Sequence, residues 1–361
     1  MLPSLEPSDR YWPQLDGVRA IAILLVLGAH TNSRFEGGIL GVDLFFVLSG
    51  FLITTLLLQE RISADRINIA HFYARRALRL LPALVVAIVL VVFVARFPGA
   101  PTTDLAFGIP IVLLYVTNWA GIFAERRLGS FVPYWSLAIE EQFYLVWPWV
   151  IQRWAQARRL AEYFVGVALM IMLARTGWAV LKWRGSDRIT FFRADGLMLG
   201  AALAVVMVRR EPYRVVQALS SRRLAAGALL SLALPWLVLF VRSGQVTRSV
   251  SYAYVSVAGT LLVGSVILVP TSLAARALRT RPLVAIGRVS YGIYLFNFPI
   301  FSYVQAQTWS APLKLLVEYS ATALVTLASW YLVEQPARRL RNRFRARANP
   351  ALQGPSPPAA A

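Results

Sequence analysis

Runs of roughly 20 mainly apolar residues, each long enough to cross a bilayer as a helix, follow one another along the chain. They fall near 16–34, 40–59, 80–97, 135–152, 161–181, 191–208, 224–242, 250–270, 287–305 and 313–333. A further run at 105–119 (LAFGIPIVLLYVTNW) is shorter and is interrupted by Gly108 and Pro110. The stretches between the runs are short, with no internal repeat and no sign of an extramembrane domain. The pattern predicts an all-α fold, a polytopic transmembrane bundle.

Charge decides how many runs cross. Arginine clusters follow the runs ending near 59, 152, 208, 270 and 333; the first is Arg61, Arg66, Arg75, Arg76 and Arg79, and the last runs from Arg338 to Arg347. Basic loops stay on the cytoplasmic side. Placing all five clusters there requires one fewer crossing than the number of apolar runs. The 105–119 segment is the one to demote, to a re-entrant or interfacial piece shielded by protein. About ten spans remain, with both termini in the cytoplasm of a cell (inner) membrane. Residues 182–188 fall outside in this scheme despite Lys182, Arg184 and Arg188.

Composition agrees. Of 361 residues, 58% are hydrophobic and 15% charged, with mean hydropathy +0.58, against roughly 25% charged residues in soluble domains. Membrane lipid is the expected solvent and partner. The net charge of +20 would suggest nucleic acid in a soluble protein, but the arginines sit between apolar runs, so no nucleic-acid partner is expected. No cysteine is present, which excludes disulfides and thiolate metal sites, and no metal is expected. Residues 1–12 lack the pattern of a cleavable signal peptide and read as a cytoplasmic tail. Residues 13–340 form the membrane domain. Residues 341–361 are basic, then Pro/Ala-rich, and read as a disordered tail.

Ionisable residues inside apolar runs are costly and face the bundle interior, so they point to function. Arg19 and His30 lie on one stripe of the first helix, since eleven residues at about 100° return to nearly the same face about 16 Å along the axis. A hydrogen-bonded core histidine is the commoner role for a lone imidazole. The turn near Arg34–Ile39, however, predicts that Asp43 lies at similar depth on the next helix, where a carboxylate can orient His30 as a general base. Asp43 also suits a helix N-terminus. Gly37, Gly38, Gly41 and Gly50 allow close helix approach or room for a ligand. In HFYARRALRLLPA (71–83), Arg76 and Arg79 share a face at the cytoplasmic boundary, with Arg75 beside them. They serve as positive-inside anchors or as a clamp for an anionic ligand. Glu140 shares a face with Ser136, while Glu141 points elsewhere; an interior ion pair with arginine is the plain reading of these carboxylates. Gly196 and Gly200 predict a packing face. Ser290, Tyr294 and Asn297 make a polar stripe.

Seven segments together carry a resemblance: LDGVRAIAILLVLGAH, GVDLFFVLSGFLI, FYARRALRLLPAL, WSLAIEEQFYLVWP, FRADGLMLGAALA, GRVSYGIYLFNFP and the terminal VEQP. In this order, over about residues 12–340, the chain resembles the membrane-bound acyltransferase family 3, which O-acylates bacterial cell-envelope polysaccharides, peptidoglycan and some macrolides. The resemblance implies transfer of an acyl group, commonly acetyl from acetyl-CoA, to a carbohydrate or glycoside hydroxyl. The family's Arg-x10-His motif falls on Arg19 and His30, its Arg-x-x-Arg motif on Arg76 and Arg79, and its Trp-Ser-Leu…Glu segment on Trp135, Ser136 and Glu140. The family often has histidine where this chain has Asn297, which cannot shuttle a proton. No esterase-like domain is recognisable, which implies the smaller branch of the family.

The expected site follows. His30, Arg19, Asp43 and Glu140 are the catalytic candidates. Arg76, Arg79 and Arg75 would hold an acyl-CoA donor. Trp135, Ser136, Arg193, Asp195, Ser290, Tyr294 and Asn297 would bind substrate. His30 serves either as general base or as transient acyl carrier. A transporter that moves an acyl donor or glycan intermediate without covalent chemistry remains the alternative, because broken segments such as 105–119 occur there too.

Overall fold

The computed structural model describes residues 11–31, 36–182, 187–235 and 244–339. Residues 1–10 of the expected N-terminal tail and all of the tail expected at 341–361 lie outside the described residues, as do Arg34, Arg184 and the end of the 224–242 run. Among the described residues the chain is helical and contains no strand.

The principal helices are α1 (Pro13–Thr31), α2 (Gly41–Ala64), α3 (Ile69–Val94), α4 (Leu105–Leu113), α5 (Thr117–Phe123), α6 (Trp135–Trp154), α7 (Leu160–Val180), α8 (Asp195–Arg209), α9 (Gln245–Leu268), α10 (Arg281–Arg288), α11 (Ser290–Gln305) and α12 (Ala311–Ser329). Six described helices are long and apolar enough to cross a membrane, namely α1, α2 with its preceding turn, α3, α7, α9 and α12 with its extension to Arg339. A seventh crossing arises if α10 and α11, bent by 68° where they meet, count as one. This is a multi-pass helical bundle, but the expected ten crossings are not reached on length and composition. The three shortfalls have separate causes. α6 is long enough, but Glu140, Glu141 and Gln142 make it too polar. The 191–208 run breaks at Ala194, leaving α8 with 15 residues, about 22 Å of helix against a core of roughly 30 Å. The 224–242 run is described only as the helix Arg222–Ser231.

The 105–119 run is two short helices. Asp104 caps α4 by accepting from the Phe107 amide at 3.1 Å, and Arg127 donates to the same carboxylate. The Phe107 amide first, and Arg127 second, hold that carboxyl below its usual range. The chain then turns through Tyr115, whose φ of 53° lies in the left-handed region, and restarts as α5. Neither piece is long enough to cross.

α2 sits at the centre, and its position is set by missing side chains. A Cβ on Gly50 would lie 2.0 Å from the carbonyl oxygen of Leu197, and one on Gly200 would lie 2.1 Å from that of Val47. α2 and α8 therefore touch backbone to backbone, as small residues permit between membrane helices. Gly41 meets the Ala22 carbonyl in the same way and holds α2 against α1. Gly287 meets the Asp16 carbonyl, fastening α10 to the start of α1.

Gly200→Ala forces α2 and α8 apart and should destabilise the protein by about 1–3 kcal/mol, seen as a lower melting temperature in detergent. Gly166→Ala on α7, where a new Cβ meets nothing within 4 Å, should leave the melt unchanged.

Candidate active site

Three polar centres lie within the bundle. The first is a cavity of about 560 Å³ bounded by α1, α2, α3, α6, α10, α11 and the turn after α12. Its apolar wall comes from α2. Its polar wall carries five arginines, Arg19, Arg76, Arg79, Arg288 and Arg338, against three carboxylates, Asp16, Glu140 and Glu334.

Several of these charges are already engaged. Arg19 lies 3.3 Å from Asp16, which also accepts from the Tyr11 hydroxyl. Arg76 donates to Glu141 at 2.7 Å, and its guanidinium carbon lies 3.4 Å from the centre of the Tyr144 ring. Ser49 donates to Glu140 at 2.9 Å. Arg79 makes no ion pair within 4 Å with a described residue; Arg19, Arg76 and Arg338 surround it with like charge, and Glu140 and Glu334 are the carboxylates of the same cavity that oppose it. A cation held among cations is stabilised by an incoming anion, and a planar guanidinium suits phosphate oxygens. Ser136, Ser290 and Tyr294 add hydroxyls to the lining. Ser136 and Tyr294 lie 2.6 Å apart, and Tyr294 also donates to the Pro133 carbonyl.

The second centre is His30, near the opposite end of α1 from Arg19. Its Nδ1 lies 2.7 Å from Oδ1 of Asn297. With that oxygen facing the ring, Nδ1–H donates and Nε2 keeps its lone pair. Phe298 meets the imidazole edge-on at 5.1 Å, and Phe301 stacks at 6.1 Å. The polar stripe on α11 therefore joins the two centres, with Ser290 and Tyr294 in the arginine cavity and Asn297 on His30. Arg19 and His30 on α1 run alongside it, about 16 Å apart along the axis.

The third centre is fully buried. Asp43 pairs with Arg193 at 3.0 Å, and Arg175 makes a two-armed contact to Asp195 at 2.8 and 3.0 Å, all four side chains with no exposure. Arg193 also lies over Tyr252 at 3.8 Å. These pairs tie α2, α7 and α8 together from within, beside α9.

Several expected placements need correction. His30 and Asp43 do not pair. Gly38 and Gly41 lie against α1 at Leu25 and Ala22, so α2 enters about two turns deeper than a symmetrical hairpin would. Two residues on, at about 200°, Asp43 points away from α1 and meets Arg193. Arg75 does not line the cavity; it reaches Glu60 at 3.3 Å. Arg193 and Asp195 belong to the buried centre. Trp135 is buried against Phe46 and near Arg193, outside the lining. Glu141 finds the interior arginine expected of it, and Gly200 packs as expected.

Arg175 and Glu318 are not singled out in the sequence. Each lies in the interior of an apolar run whose other charge, Glu162 or Lys314, sits at its edge, and that interior position was the available signal. Among the described residues, no group of three or more His, Asp or Glu is placed to hold a metal.

The family described as "Acyltransferase domain" matches residues 12–334. The chain is similar to O-acetyltransferase OatA of Staphylococcus aureus, at 30% identity over 92% of this chain and 58% of the relative. It is also similar to peptidoglycan O-acetyltransferase OatA of Listeria monocytogenes, at 33% identity over 92% of this chain and 56% of the relative. The chain thus spans just over half the length of these relatives. No solved structure matches significantly.

Asp195→Asn leaves Arg175 as a buried, unbalanced charge and should cost about 3–5 kcal/mol, read as loss of monodisperse protein on size exclusion. Joint replacement by Arg175→Leu and Asp195→Leu should recover part of that loss.

Proposed function

This chain belongs to the acyltransferase domain family, and we propose that it is a membrane O-acyltransferase that moves an acetyl or similar acyl group from acyl-CoA to a carbohydrate hydroxyl. The acceptor belongs to the cell envelope, in line with the relative named for peptidoglycan. One observation carries the reading: an arginine-rich cavity and a histidine with a free ring nitrogen stand at two ends of the same pair of helices, α1 and α11.

In this reading the donor's phosphates lie at Arg79 and its neighbours, on the cytoplasmic side, with both termini on that side of the inner membrane. α6 and α8, with the run expected at 224–242, bring the bundle to about ten spans; α8 is almost wholly buried, and α6 turns its carboxylates toward protein partners while Leu145, Val146 and Trp149 face outward. The pantetheine arm follows the apolar wall of α2 and the hydroxyls of α11 toward His30. His30 Nε2 removes the proton from the acceptor hydroxyl as its oxygen attacks the thioester carbonyl. The C–S bond breaks, and the proton passes to the leaving thiolate. In the carrier version Nε2 itself attacks the carbonyl and the thiolate leaves; the acceptor oxygen then displaces the imidazole, and the hydroxyl proton passes to the thiolate. Isolating acyl-histidine from protein given donor without acceptor separates these routes.

Asp43 has no direct part, since Arg193 holds it. Glu140, with Ser49, shapes the anion-binding wall. Ser136, Ser290 and Tyr294 supply hydrogen bonds along the donor's arm.

Purified protein given radiolabelled acetyl-CoA and a peptidoglycan or polysaccharide acceptor should form labelled product. A transporter would form none. His30→Ala should lower turnover by about 10²–10⁴-fold at unchanged expression. Arg79→Ala should raise KM for acetyl-CoA about tenfold or more, the effect of losing one charged hydrogen bond, with a smaller change in kcat. Full activity in His30→Ala would overturn the mechanism, and failure of acetyl-CoA to label product would overturn the donor.

A further inference from the structure

α12 is largely exposed on the outside of the bundle, yet Glu318, two turns from its start, is completely buried. A carboxylate within an apolar helix is costly and needs a polar partner. One oxygen, Oε1, lies 3.0 Å from Thr31 Oγ1, on the residue that follows His30. Thr31 Oγ1 is also 3.0 Å from the Tyr319 hydroxyl and from the Leu27 carbonyl. The other oxygen, Oε2, is buried with no hydrogen-bond partner.

Asn297 shows the complementary gap. It is 1% exposed, and its Oδ1 faces His30 while Nδ2 is buried without a partner. α11 and α12 pack directly on each other, and the Asn297 amide lies within reach of the Glu318 carboxylate. A donor lacking an acceptor thus stands beside an acceptor lacking a donor, both shielded from solvent, where an unmade hydrogen bond is most expensive.

We propose that Glu318 is a positioning residue for His30, acting through Asn297. Its carboxylate takes the Asn297 Nδ2–H and the Thr31 hydroxyl proton. This holds the amide with Oδ1 toward the imidazole, keeps the ring proton on Nδ1, and leaves Nε2 as the free base. An amide passes on orientation but no proton, so Glu318 fixes the tautomer without relaying charge. If Asn297 turns over, Nδ2 donates to Nδ1, the ring proton moves to Nε2, and neither ring nitrogen offers a lone pair to substrate. The side chains against His30 and Glu318 in the described structure are Thr31 from α1, Asn297, Phe298, Phe301 and Gln305 from α11, and Tyr319 from α12, with Glu318 itself on α12. Glu318 is the one carboxylate among them.

The catalytic consequence rests on the function proposed above, but the tautomer is measurable without turnover. Diethyl pyrocarbonate acylates a ring nitrogen that has a free lone pair. The chain has two histidines, so a His71→Ala background reports His30 alone by mass spectrometry. Glu318→Gln keeps size and an acceptor for Thr31, but also offers donors toward Asn297. In protein that elutes monodisperse, Glu318→Gln should slow His30 labelling about tenfold and lower kcat about 10–100-fold, with KM for acetyl-CoA unchanged. Glu318→Asp, whose oxygens are withdrawn by one methylene, should show smaller losses in both readouts and serves if the Gln variant does not fold. Wild-type labelling and wild-type kcat in these variants would overturn the proposal. Slowed labelling in Glu318→Gln together with full product from His30→Ala would sustain the positioning role and reject His30 as the catalytic base.

Discussion

Charge buried in an apolar bundle has to be answered by charge or by a hydrogen bond, and in this protein that requirement sets the arrangement of the central helices. Arg193 with Asp43, and Arg175 with Asp195, bring α2, α7 and α8 to fixed depths and rotations. A slip of one helical turn would strand four ions in a medium that cannot solvate them. The glycine contacts between α2 and α8 act with the first pair, because backbone contact holds the entry to α8, where Arg193 lies, against Asp43 on α2. Specificity comes from the ions and proximity from the missing side chains.

With α2 held in this way, the remaining polar residues divide between two places. One face of α2 becomes the apolar wall of the arginine cavity, and α1 and α11 run from that cavity to His30. The cavity crowds arginines around Arg79 and gives Arg76 a carboxylate and an aromatic ring. Such a site is poised for an anion. The histidine end is built differently, from an amide, a carboxylate and two phenylalanine rings, which suits control of a neutral imidazole. In the proposed function, a donor bound at one end and a base held at the other divide the work, and a long, flexible thioester arm bridges them.

Much of this was legible from local pattern. Arg19 and His30 share a stripe because helical periodicity demands it, and Ser290, Tyr294 and Asn297 do so for the same reason. Arg76, Arg79, Glu140 and Ser136 meet in one cavity because each lies on the interior face of its helix. The pairing of His30 with Asp43 went astray because it depended on how deeply α2 enters beside α1. That depth follows from the contacts of Gly38 and Gly41 with the α1 backbone, which periodicity does not encode. The span count differed for a related reason: hydropathy finds apolar runs, whereas α6 and α8 owe their burial to protein neighbours.

Composition and a period of 3.6 residues are properties of the chain read locally, and they suffice for a helical membrane bundle, for the residues that face its interior and for the family it resembles. Which interior charges meet was settled by packing alone. It gave Asp43 to Arg193, Asp195 to Arg175, Arg75 to Glu60 and Asn297 to His30, and it set Glu318 beside Asn297. Partner choice depends on the relative depth and rotation of helices distant in sequence, and those are fixed by close packing and by the cost of an unanswered charge in an apolar interior.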